Sequence, residues 1–184
     1  MAYHTIGHQT LEDRDNADYV EGNGPFQADR PDPYLGRGYY FWEDNCAMAE
    51  YWGETQKRGN YIICKSNIFL DDNLHFDLMG NRQHQKLLLS LKEKFERKDW
   101  PIGKFIEFLK ELSKKKNCEK IFPFKIIRAM DSARHDIDEI KEYFNKRNKG
   151  YANLNPIVII CLTEKNSLFL HSYKIIHPEK YVQD

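Results

Sequence analysis

The sequence predicts an α+β domain, and three observations carry that prediction. β-rich segments lie toward both ends of the chain, at Tyr3 to Thr10, Tyr61 to Leu70 and Ile157 to Ile176. Amphipathic helical patterns fill the middle, from Arg82 to Lys98 and from Pro101 to Lys116. Between these regions Gly36-Arg37-Gly38 opens an aromatic strand, Tyr39 to Trp42, which runs into a short helix with small residues at Ala47 and Ala49.

In chain order, Tyr3 to Thr10 reads as a strand and Leu11 to Glu21 as a helix, which Gly22-Asn23-Gly24-Pro25 breaks. Pro25 to Tyr34 holds three prolines and reads as a surface loop. After the aromatic strand, Asp44 or Asn45 is the N-cap of a helix over Cys46 to Trp52, and Gly53 is its stop. Tyr61 to Leu70 turns through Asp71-Asp72-Asn73 into Leu74 to Leu78. The first middle helix lines up Leu87, Leu88, Leu91 and Phe95, and the second lines up Ile102, Phe105, Ile106, Leu109 and Leu112. Ile121 to Arg128 reads as a short strand or an irregular buried segment. Asp131 or Ser132 then caps a helix, with Ile137, Ile140 and Phe144 inward, that lasts to Gly150. Ile157 to Leu162 is the most apolar strand, and it forms a final hairpin with Leu168 to Ile176.

At 184 residues, with 41% hydrophobic and 30% charged positions, the chain suits one compact domain over residues 1–184. Its amino terminus lacks the basic and apolar regions of a leader, and no run approaches the ~20 apolar residues of a membrane span. A cytoplasmic protein without membrane contact is expected. Cys46, Cys64, Cys118 and Cys161 are widely spaced, with no Cys-x-x-Cys and no histidine at ligand spacing, so neither a metal site nor a disulfide framework is expected. Net charge is zero but uneven: residues 1–81 carry 14 acidic and 6 basic side chains, whereas residues 82–120 carry 6 and 12. Lysines there can face a nucleic-acid backbone or simply water.

Gly-Arg-Gly-Tyr-Tyr-Phe at 36–41, followed by a small-residue helix ending in Tyr51, resembles the glycine-rich aromatic segment of the poly(ADP-ribose) polymerase-like ADP-ribosyltransferases. His8-Gln9-Thr10, followed by a helix and a glycine-rich exit, resembles their first, histidine-containing motif. The resemblance implies the family's split antiparallel sheet pair around an NAD cleft, with residues 82–120 as a helical insertion. It assigns NAD contact to His8, Gln9, Thr10, Arg37, Gly38, Tyr40 and Tyr51. His8 would bind a ribose hydroxyl, and Tyr40 and Tyr51 would cover the two faces of nicotinamide. Arg30 or Arg37 can meet the pyrophosphate, because a guanidinium binds phosphate oxygens bidentately.

Two departures stand out. Gln9 occupies the family's glycine position. The family's third-motif glutamate, at the head of the penultimate strand, is missing from Asn155-Pro156-Ile157-Val158-Ile159. Glu164, after that strand, and Glu43 and Glu54, beside the tyrosine helix, are the candidate replacements, and His8, Tyr40 and Glu164 form the expected catalytic set. The implied activity is transfer of ADP-ribose from NAD to a macromolecular acceptor, protein or nucleic acid, as in a bacterial or phage-defence toxin held by an inhibitory antitoxin. The alternatives are an inactive member serving as a binding module, and the related NAD-using RNA 2′-phosphotransferase. No Gly-x-Gly-x-x-Gly, Walker loop, Gly-x-Ser-x-Gly or His-Glu-x-x-His motif competes with these readings.

Overall fold

The computed structural model describes residues 3–28, 30–131, 141–143, 151–166 and 169–182. Its strands are β1 (Tyr3–Glu12), β2 (Tyr39–Glu43), β3 (Tyr61–Leu70), β4 (His75–Asp77), β5 (Ile126–Met130), β6 (Lys141–Tyr143), β7 (Tyr151–Asn153), β8 (Val158–Leu162) and β9 (Leu170–His177). The helices are α1 (Ala17–Asn23), α2 (Cys46–Gln56), α3 (Arg82–Lys94) and α4 (Ile102–Ser113). Seven strands form one mixed sheet in the order β4-β5-β8-β2-β1-β3-β9, and β6 and β7 pair as a separate ribbon.

The α+β class is therefore seen, but among the described residues the strands around the centre are not split into a facing pair of sheets. A single hydrogen-bonded sheet runs through a narrow seam. β1 is paired with β3 along its whole length, from Tyr3↔Leu70 to Glu12↔Tyr61, yet meets β2 through only Gly7↔Glu43 and His8↔Trp42. Beyond His8 the ladder between β1 and β2 stops, and the sheet forks.

Local differences from the sequence expectation have plain causes. Leu11 and Glu12 continue β1 rather than start a helix, because β3 offers them Ile62 and Tyr61 as partners. α2 runs through Gly53 to Gln56, since the missing side chain lets the helix lie on the Tyr61 ring. Asn45, not Asp44, is its cap, accepting from Met48 N at 2.9 Å. The expected closing hairpin does not form: β8 pairs with β2 and β5, β9 pairs with β3, and three strands separate them. β8 is apolar on both faces, which suits an inner strand, whereas β9 is an edge strand. The helix expected up to Gly150 falls mostly outside the described residues, and within them Lys141–Tyr143 is a strand.

α3 and α4 are not an appendage. β4 and β5 are parallel, so the chain must cross over between them, and the two helices are that crossover. Leu88, Leu91, Phe105, Ile106 and Leu109 seal one face of the sheet together with Trp42, Met48, Ala49, Ile63, Phe76, Ile127, Ile159 and Cys161. On the opposite face, Phe41, Ile68, Leu70, Ile126, Ile160, Leu162 and Phe169 form a second core, and Val20, Ile62, Cys64 and Ile175 a third. No helix among the described residues is long and apolar enough to cross a membrane.

Candidate functional site: a cavity at the fork of the sheet

Strand alternation puts His8 and Thr10 of β1 on the same face as Tyr40 and Trp42 of β2, because His8 lies opposite Trp42. α2 covers this face, with Thr10 Oγ1 donating to Ala49 O at 2.7 Å. Where β1 and β2 part, a cavity of about 520 Å³ opens, lined by His8, Gln9, Thr10, Glu12, Tyr40, Trp42 and Ile159. Its rim is built by the loop from Phe26 to Tyr34, by Tyr19 and Val20 of α1, and by Trp52, Gln56 and Lys57 at the end of α2.

Gln9 holds the fork in shape. Its Nε2 donates to Phe26 O (2.9 Å) and Tyr40 O (3.2 Å), and its Oε1 accepts from Phe26 N (2.9 Å) and Tyr173 Oη (2.7 Å). Each donor and lone pair of the amide is thus used. One side chain ties β1, β2, β9 and the start of the rim loop together where the backbone ladder has ended. The Gln9 amide is thus spent on protein partners.

Tyr40 ties down the other end of the loop. Its hydroxyl donates to Gly36 O at 2.6 Å and accepts from Leu35 N at 2.8 Å, and burial pushes its pKa well above the usual phenol value. α4 buttresses the same stretch from outside. Gly103 lies so close to Pro33 and Tyr34 that a Cβ there would collide with the Pro33 carbonyl. One and two turns further on, Glu107 accepts from Arg37 N and Lys110 donates to Arg37 O at 2.7 Å.

His8 is 6% exposed and its Nδ1 has no partner. Burial first, and then the Lys65 charge, hold its pKa below the ordinary histidine value, opposed by the Trp42 backbone and Asp44. The ring is therefore neutral at neutral pH and forms part of the cavity wall, while Nδ1 itself is shut off from solvent.

Several sequence-based site residues lie elsewhere. Tyr51 packs against the main core and does not line the cavity. Trp52 does, one position further round the helix, with its ring 5.8 Å from that of Trp42. Arg37 is outside the cavity, bonded to α4 through its backbone. Gly38 is a packing glycine: a side chain there would strike Cys161 Sγ and the Leu162 carbonyl of β8. Glu164 pairs with Lys125 at 3.0 Å, away from the cavity. Glu43 is buried against Arg128 (2.7 Å), and Glu54 accepts from Tyr61 Oη (3.1 Å). None of the three acids reaches the cavity. At the head of β8, opposite Trp42, the lining residue is Ile159. Among the described lining residues Glu12 is the one carboxylate, and Arg14 pairs with it at 2.7 Å.

Of Arg30 and Arg37, Arg30 is the one that the fold brings to the rim, where its Cζ lies 5.1 Å from the Tyr34 ring centre and 5.5 Å from that of Trp52. No group of three or more metal-ligating side chains with the makings of a metal site occurs among the described residues. No family model, curated protein or solved structure matches this chain.

Proposed function

We propose that the chain binds NAD in the cavity at the fork and transfers its ADP-ribose to a macromolecular acceptor, protein or nucleic acid, with release of nicotinamide. The observation that carries this reading is that His8, Thr10 and Tyr40, drawn from two separate segments by the family resemblance, line one cavity. A volume of about 520 Å³ lies in the range of small-molecule and cofactor sites, typically ~300–1,000 Å³.

In this reading His8, at the cavity wall, meets a ribose hydroxyl once its ring turns to bring a nitrogen to the surface. Tyr40, whose hydroxyl is occupied, offers its ring, and Trp52 takes the place expected for Tyr51. The glycosidic bond between the ribose and nicotinamide breaks, and its electron pair leaves with nicotinamide. An acceptor nucleophile closes the new bond to the anomeric carbon and loses its proton to water. The toxin or defence setting, and an inhibitory antitoxin as partner, rest on the family resemblance alone.

A second reading is favoured by one observation, the aliphatic Ile159 where a carboxylate would steady positive charge on the ribose. Loss of such a partner typically costs about a hundred- to thousandfold in rate. A slow enzyme, or a binding module without catalysis, follows from it.

Calorimetric titration with NAD and measurement of nicotinamide release separate these readings. Binding with release supports the transferase, binding without release supports the module, and no binding overturns both. His8→Ala is expected to weaken NAD by about tenfold, one hydrogen bond's worth, and to abolish release. Glu54→Gln and Glu164→Gln are expected to leave release unchanged, because both side chains face away from the cavity.

A further inference from the structure

We infer that Arg30 makes the cavity selective for ligands that carry a diphosphate. This deepens the NAD reading but stands on separate geometry. The Arg30 guanidinium lies over the Tyr34 and Trp52 rings at the cavity rim, at 5.1 and 5.5 Å. Such contacts orient the group through the charge and the ring faces and consume none of its five N–H donors. No hydrogen bond or ion pair joins it to another described residue. It is an oriented cation with its donors unspent.

The setting sharpens this. Of the cations lining the cavity, Arg14 is neutralised by Glu12, whereas Arg30 and Lys57 have no carboxylate within ion-pair distance among the described residues. Tyr34 belongs to the loop that Gln9 and Tyr40 fasten at its two ends, and Trp52 belongs to α2. Arg30 therefore links the two walls of the cavity across its rim. A planar fork held in place binds two oxygens of a phosphate together, with little side-chain freedom left to lose. Tyr40, Trp42 and Trp52 also line the cavity and offer aromatic surface to the ring systems of such a ligand.

The test compares affinities of ADP, NAD, adenosine and nicotinamide for the wild type, Arg30→Met and Arg30→Lys, by calorimetry at fixed ionic strength. Arg30 is exposed, so the variants are expected to fold, and an unchanged thermal midpoint checks this. ADP and NAD are expected to lose at least about tenfold in Arg30→Met, with adenosine and nicotinamide unaffected, and Arg30→Lys is expected to recover only part of the loss. An equal loss for all four ligands would mean that Arg30 only braces the walls, and would overturn the proposal, as would a wild type blind to ADP. If ADP binds in an Arg30-dependent way and NAD does not bind at all, this proposal stands and the transferase reading falls.

Discussion

Gln9 and His75 are both buried polar residues, and they sit at opposite ends of hydrogen-bond satisfaction. Replacing Gln9 by leucine would strand the Phe26 amide and carbonyl, the Tyr40 carbonyl and the Tyr173 hydroxyl. Each such group costs on the order of 1–3 kcal/mol when it cannot reach water. The expected loss is roughly 2–4 kcal/mol, read from urea unfolding, with increased proteolysis of the Phe26–Tyr34 loop. His75 has an unpartnered Nε2, and burial pushes its pKa down to about 4. As pH falls below the ordinary value of about 6.5, the unfolded chain takes up this proton first. Stability is therefore lost between roughly pH 6.5 and 4, and the loss levels off below that. His75→Phe is expected to flatten the difference in unfolding free energy between pH 7 and pH 5; some slope remains because His8 and His84 are also shifted down. The sequence grouped His8, Thr10 and Tyr40 through the resemblance alone; the His8↔Trp42 pairing and strand alternation that put them on one face appear only in the fold. Gln9's role was not legible in the sequence, since its Tyr173 partner lies 164 residues away. Nor was the choice of Arg30 over Arg37, which depends on how an irregular loop folds.

Helix phase decides which aromatic faces the cavity. Ala49, Trp52 and Gln56 follow one side of α2, and Tyr51 is turned away from it, a distinction of one residue that a motif with a fixed tyrosine obscures. Gly53, a stop by its sequence context, lies inside the same helix. A glycine after a helical run usually marks an end, but here it is interior and its bare backbone rests on Tyr61. Two effects oppose each other in Gly53→Ala: better helix propensity stabilises by about 1 kcal/mol, whereas forcing a methyl group into the Tyr61 ring costs about 1–3 kcal/mol. Overpacking is expected to win, and thermal unfolding should report a lower midpoint. The closing strands show the other limit of local pattern. The apolarity of Ile157 to Leu162 pointed to a buried strand, and Val158–Leu162 is buried throughout, but turn residues between β8 and β9 do not reveal that long-range pairing with β2 and β3 outcompetes a hairpin.

The chain as a whole carries no net charge, yet most of its basic excess lies in residues 82–120, the span of the crossover helices. Those helices complete the main core with one side and wall in the rim loop with another, through Gly103, Glu107 and Lys110 of α4. Their amphipathic pattern was plain in the sequence. Their position beside the cavity was not, because it follows from the parallel pairing of β4 and β5, which no local pattern encodes. This contact between α4 and residues 33–37 makes the outer surface of the helix and the interior of the cavity thermodynamic correspondents. A macromolecule that gripped Ile102 and Lys104 and tilted α4 would press on residues 33–37 and so would change how tightly the cavity held a ligand. Reciprocity then requires the occupant to change the grip of that macromolecule by the same factor. An antibody fragment selected against the exposed side of α4 is expected to report it, as a difference in its affinity with and without saturating ADP.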